Sequence, residues 1–194
     1  MLKECALFAG ALLALVGCNR GETPAAAPPT SGASVAPAAP SASGVVGECE
    51  LGSVAPMLAQ VFTDGHWGFG GEGTIGNAPL TPITVKGVTY SNGLGTQPPS
   101  NGSAHVVYSL DRRYSEFSGE VALNDTSDNA STPLIFRIVV DGNELWRSPG
   151  MASHGEPEAF HVSVAKGERL ELYVDCRGSN NGAHAVWLNP VLRP

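Results

Sequence analysis

From about residue 80 onward, apolar and polar residues alternate with a period of two in runs too short to build helices. In "RLELYVDC", Leu170, Leu172, Val174 and Cys176 fall on one face, with Glu171, Tyr173 and Asp175 on the other. "FHVSVAKG" sets Phe160, Val162 and Val164 against His161 and Ser163. "FSGEVALND" sets Phe117, Gly119, Val121 and Leu123 against Ser118, Glu120, Ala122 and Asn124. This is the pattern of half-buried strands. "IFRIVVDGNELW" places Asp141-Gly142 between two such runs, a strong hairpin signal. The one candidate helix is "SVAPMLAQVF", interrupted by Pro56. Strands with one polar face each require two sheets packed face to face. The expectation is an all-β chain, an antiparallel β-sandwich of jelly-roll type.

The first residues stand apart from this pattern. "MLKECALFAGALLALVGC" has a positive charge at Lys3, an apolar run from about Ala6 to Val16, then Gly17 and Cys18. That order predicts a secretory signal over residues 1–17, with a run too short to span a bilayer comfortably. Leu15-Val16-Gly17-Cys18 looks like a bacterial lipobox, so Cys18 is expected to carry the lipid anchor. Several acyl chains hold firmly, at roughly 0.8 kcal/mol per buried methylene. In a Gram-negative cell, Asn19 after that cysteine points to the outer membrane or cell surface. Residues 18–45 are dominated by Ala, Pro, Ser and Gly, a composition that cannot bury enough surface to order itself. They read as a tether, with the sandwich over residues 46–194. The localisation expected is an exported, membrane-anchored lipoprotein.

The formal charge is −7. An acidic chain without a Lys/Arg patch argues against nucleic acid as a partner. Of the four cysteines, Cys5 leaves with the signal and Cys18 is lipidated. The remaining pair, Cys49 and Cys176, is expected to form a disulfide in an exported protein.

No constellation for catalysis is present: no phosphate loop, no zinc-protease motif, no nucleophile elbow. The five histidines never fall at ligand spacing. Glu156 and Glu158 flank Pro157, the ordinary setting of solvated charges. The chain is therefore expected not to be an enzyme. Binding has more support. Three tryptophans occur, and an aromatic face beside Gly-, Asn- or His-rich loops suits the C–H face of a sugar. Trp146 lies on a hairpin strand and suits packing; Trp67 in "DGHWGFGGEG" and Trp187 in "NGAHAVWLNP" suit either core or stacking. "LNDTSDN" gathers Asn124, Asp125, Asp128 and Asn129. These hard oxygen donors suit a structural calcium ion, with Asp125 and Asp128 as its ligands, while Asp and Asn also initiate turns with no metal at all.

Several segments, in order, resemble the NPCBM family of carbohydrate-binding modules. They are "ITVKGVTYSNGLGTQPPS", "YSLDRRYSEFSGEVALND", "FRIVVDGNELWRSPGM" and "RLELYVDCRGSNNGAHAVWLNPVL", covering roughly Glu48 to Pro194. The resemblance implies a sandwich that binds galactose-type or related glycans, often with a structural calcium ion. By position, it implies site residues Gln97, Asn124, Asp125, His184 and Trp187, to which Trp67 is added from its setting. Gln97 stands where the family usually has His, and Asn124 where it usually has Asp. Leu94 in "SNGLGTQPPS" is expected to plug inward, with Gly93 and Gly95 allowing tight turns. The alternative function is a structural or protein-interaction β-sandwich lipoprotein that binds no sugar.

Overall fold

In a computed structural model, the structure describes residues 47–59, 68–76, 81–128, 132–151 and 153–194. The expected signal, the lipidated Cys18, the tether and Trp67 lie outside the described residues.

The alternating runs become the long strands β7 (Gly102–Ser109), β8 (Glu116–Leu123), β9 (Leu134–Val140), β11 (Glu158–Ser163), β12 (Arg169–Cys176) and β13 (Ala185–Arg193). Shorter ones are β1 (Cys49–Glu50), β2 (Leu58–Ala59), β3 (Thr74–Ile75), β4 (Thr84–Val85), β5 (Val88–Thr89), β6 (Gly93–Thr96) and β10 (Asn143–Arg147). One sheet, A, has the order β11-β8-β13-β6-β3, with β1 also on β13; the other, B, has the order β10-β9-β12-β7-β2. All these pairs are antiparallel except β3–β6. The Asp141-Gly142 hairpin forms as expected between β9 and β10, with φ of 50° and 81° at its two turn residues. Positive φ at both positions is the twist-matched turn that Asp-Gly favours.

The inward residues of both sheets make one core, including Phe117, Val121, Phe136, Ile138, Phe160, Leu170, Leu172 and Trp187. Fully burying each such side chain contributes about 1.5–3 kcal/mol. Over its described residues, 53–59, the candidate helix does not form. Leu51–Ser53 make a single 3-10 turn, and Leu58–Ala59 pair with β7 as an edge strand. Pro56 removes the N–H a continuing helix would need.

Sheet A departs from the expectation of one polar face. Ile75, Ile83 and Val85 pack with Ala122, Val186 and Leu188 as a second cluster on its outer side. The β4–β5 hairpin and its approach thus form a partial third layer. This layer also corrects the role given to Gly93 and Gly95, which lie inside β6 rather than in turns. A Cβ on Gly95 would stand 2.9 Å from Ile75 Cα, and one on Gly93 2.8 Å from Ile83 Cδ1. Both glycines admit the covering layer. Leu94 does plug inward, 2% exposed.

The expected disulfide is absent: Cys49 and Cys176 are both free thiols. Cys49 lies beside the Tyr108 and Tyr114 hydroxyls, and Tyr108 opposes Leu170 across β7–β12. Cys176 is the far end of β12, about 20 Å further on at ~3.4 Å per residue. A disulfide needs Cα atoms within about 7 Å. Alkylation of the unfolded chain without reductant is expected to label both cysteines, as read by intact mass.

Candidate functional site

Three of the expected site residues meet at one end of sheet A. β6, β13 and β8 pair so that Thr96, Ala185 and Leu123 form one row. Just beyond these strand ends the three segments continue with Gln97, His184 and Asn124. The Asn124 N–H donating to the His184 carbonyl at 2.9 Å ties two of them together. Because side chains alternate, these positions face the outer side of sheet A, the side of the β4–β5 hairpin.

The three residues do different things. Asn124 is fully buried. Its Oδ1 accepts from the Thr84 N–H at 2.6 Å, and its Nδ2 donates to Thr126 Oγ1 at 2.7 Å. Asp125 acts on the same hairpin, its Oδ1 accepting from the Lys86 N–H and its Oδ2 from the Gly87 N–H, each at 2.8 Å. Together they clamp the hairpin turn, whose φ values at Lys86 and Gly87 are 53° and 77°. Asn124 is therefore corrected from sugar ligand to clamp: with its amide buried and engaged, no hydroxyl can reach it. Asp125→Ala is expected to cost about 1 kcal/mol, the low end for charge-assisted bonds because the group is exposed. Hydrogen exchange at Lys86 and Gly87 is expected to accelerate in that variant.

The same geometry tests the metal expectation. Among the described residues no three of His, Cys, Asp and Glu gather around a common point. Both Asp125 oxygens face N–H donors, which is the reverse of what a cation requires. Asp128 stands apart from it, against Gly182. Asp125 and Asp128 do not fit a shared calcium site.

His184 and Gln97 take no part in the hairpin clamp. The ring of His184 is half-buried, with Nδ1 3.0 Å from Thr126 Oγ1. Since the Thr84 N–H fixes which end of the Asn124 amide donates, the Thr126 hydroxyl hydrogen is left for Nδ1. That assigns the tautomer protonated at Nε2. Burial lowers the pKa of His184 against a smaller upward pull from Asp128, so the ring is neutral at pH 7. Ser127 holds its backbone, accepting from the His184 N–H at 2.8 Å and donating to its carbonyl at 3.0 Å. Gln97 is half-buried, and no described group hydrogen-bonds its side-chain amide.

The flanking loop is rigid for identifiable reasons. Asn180 is 1% exposed; its Oδ1 accepts from the Ala183 N–H at 2.7 Å and its Nδ2 donates to the Pro98 carbonyl. One side chain thus staples the segment after Gln97 to the segment before His184. Asn181 and Gly182 then turn with φ of 47° and 81°. A Cβ at Gly182 would stand 2.9 Å from Asp128 Oδ2, so the glycine lets that carboxylate close in. Nothing in the sequence singles out Thr126, Ser127 and Asn180 as site residues. Their only signal is a local richness in Asx, Ser and Thr, which ordinary turns share.

The tryptophan expectation is corrected. Trp187 is 0% exposed and lies on the inner side of sheet A, edge-on to Phe136 and Phe160 at 5.4 Å each. It fills the core and cannot stack on a ligand. Trp146 packs against the same core through Phe160, at 5.5 Å.

A family model described as NPCBM/NEW2 domain matches residues 61–193. A protein of Renibacterium salmoninarum described as a putative endo-alpha-N-acetylgalactosaminidase is 29% identical over 120 residues, 61% of this chain and 8% of that protein. The chain thus spans a small fraction of that relative. Among solved structures, the CBM51 module of the Clostridium perfringens GH95 protein in complex with methyl-galactose has a TM-score of 0.61 at 20% identity, covering 75% of this chain and 99% of that one. Tandem CBM51 modules of a Streptococcus pneumoniae family 98 glycoside hydrolase give 0.64 at 18% identity, over 77% and 48%. The CBM51-2 and INT domains of Clostridium perfringens ZmpB, with CBM51-2 in complex with GlcNAc, give 0.58 at 20% identity, over 75% and 31%. These likenesses agree with the β-sandwich.

Proposed function

Since the chain belongs to the NPCBM/NEW2 domain family of carbohydrate-binding modules, we propose that it binds galactose-type or related glycans without catalysis, through the outer end of sheet A. The observation that carries this reading is the Gln97–His184 pair. An amide with no partner among the described residues and a neutral imidazole follow directly on the paired residues Thr96 and Ala185, in segments held by Thr126, Ser127 and Asn180. An amide both donates and accepts and a neutral imidazole protonated at Nε2 donates, which matches sugar hydroxyls, and a rigid frame limits the entropy lost on binding. Similar folds in complex with methyl-galactose and with GlcNAc support the ligand class. Cys18 and the Ala/Pro/Ser tether support a module anchored to a membrane, and Cys18→Ser is expected to release it into the soluble fraction.

The test is calorimetry of the full chain with methyl-galactoside and with GlcNAc. Binding to at least one is expected, with a loss of tenfold or more in His184→Ala and in Gln97→Ala, in line with an unpaired polar partner. A folded chain that binds neither sugar overturns the reading. Because burial lowers the His184 pKa, affinity is expected to hold at neutral pH and fall only below the ordinary histidine range, where Nδ1 gains a proton and the ring loses the Thr126 hydroxyl that orients it.

A further inference from the structure

The outer face of sheet B carries a cavity of about 520 Å³, separate from the Gln97–His184 row and on the opposite sheet. Arg137 from β9, Arg147 from β10 and Arg177 just after β12 line it, together with Asn101, Ser103 and Asp175. Three of the chain's 11 basic residues thus converge in a protein of formal charge −7.

The charges do not cancel. Asp175 takes the Arg137 fork, Nε to Oδ2 at 2.7 Å and Nη2 to Oδ1 at 3.0 Å, and accepts from Ser103 Oγ at 2.6 Å. Glu144 takes Arg147, Nε to Oε1 at 2.8 Å and Nη2 to Oε2 at 2.9 Å. Arg177 has no ion pair among the described residues. Three guanidinium groups therefore face two carboxylates, leaving one positive charge unmatched. The floor is stiff: Arg137 lies 4.4 Å over the Tyr173 ring, which stacks on His105 at 5.3 Å. Two guanidinium groups held in place by carboxylates, beside the exposed Arg177, give a net positive charge that suits a planar or tetrahedral oxyanion.

We propose that this cavity holds an anionic group carried by a glycan, a carboxylate or a sulfate ester, as a second subsite on the module. Arg177 and Arg147 supply the donors, Asn101 a neutral contact, and Asp175 positions Arg137. The subsite stands whether or not the Gln97–His184 row binds sugar.

Galacturonate and galactose, which differ at the carboxylate, are the probes, titrated against the full chain at low and high salt. Galacturonate is expected to bind about tenfold tighter at low salt, an advantage that shrinks as salt screens it. It is expected to bind the galactose-saturated protein as well. Arg177→Gln, at an exposed position, should remove the advantage while leaving the unfolding midpoint and any galactose affinity unchanged. Three results overturn the proposal. One is a galacturonate preference that survives in Arg177→Gln. Another is inorganic sulfate binding as tightly as galacturonate, which makes the cavity a plain anion site. The third is Arg177-dependent binding only to vesicles of anionic lipid. Loss of galactose binding with retained, Arg177-dependent galacturonate binding overturns the row and supports this subsite.

Discussion

Trp187→Ala is expected to destabilise the domain by about 3–5 kcal/mol, the usual cost of emptying a fully buried aromatic site. The indole sits between Phe136 and Phe160 with no exposed surface, so its removal leaves a cavity touching both sheets. Since Trp187 pairs with Val121 and Leu94 in the middle of sheet A, neighbouring strands cannot collapse inward without breaking register. Urea unfolding should show a large fall in midpoint at nearly constant slope. Trp187→Phe should cost less. It keeps most of the packing and removes the Nε1–H, which has no hydrogen-bond partner within the described structure. A Trp187→Ala protein of normal stability that has lost sugar binding would instead make the ring a ligand platform.

Asp175→Ala carries the second large effect, a loss of about 2–3 kcal/mol. The carboxylate is 6% exposed and holds both Arg137 and Ser103. Deleting one partner of a buried pair leaves the other charge poorly solvated, and the figure is held below the fully buried range because the Arg137 side chain is 20% exposed. Burial by itself raises an aspartate's pKa. Here the Arg137 fork and the Ser103 hydroxyl outweigh it and hold the carboxyl below its ordinary value. A depressed folded-state pKa means the contribution is complete above the ordinary aspartate range, near pH ~4, and is lost as pH falls through the lower folded value. Stability measured from neutral pH into acid should therefore decline less steeply in Asp175→Asn than in the parent chain. An unchanged slope would remove Asp175 from the acid response.

The hairpin at Asp141-Gly142 is legible in the sequence because its chemistry is local. Two positive-φ positions must fall between two alternating runs, and Asp-Gly supplies them. The inner faces of β8, β11 and β12 are legible through the same locality, since their apolar residues recur at every second position. Trp187 is not. β13 is covered on both faces, by the core and by the Ile75–Ile83–Val85 layer, so "AVWL" is a continuous apolar run without parity. Gln97 and His184 are reached from the sequence only by resemblance; the pairing of Thr96 with Ala185 is what brings their segments to the same end of sheet A.

The class of fold, the long strands and the inward residues of the alternating ones can be read along the chain, because a period of two is written into consecutive residues. Which polar residues serve the frame emerges from the folded chain alone. Asn124 and Asp125 look like ligands in "LNDTSDN", yet their partners are backbone N–H groups 38 to 40 residues away in the β4–β5 hairpin. Cys49 and Cys176 look like a pair until the strands put them at opposite ends. Arg137, Arg147 and Arg177 look like scattered charges until β9, β10 and β12 lie side by side. Hydrogen-bond partners and shared charge depend on distance in space, and spacing along the chain does not carry it.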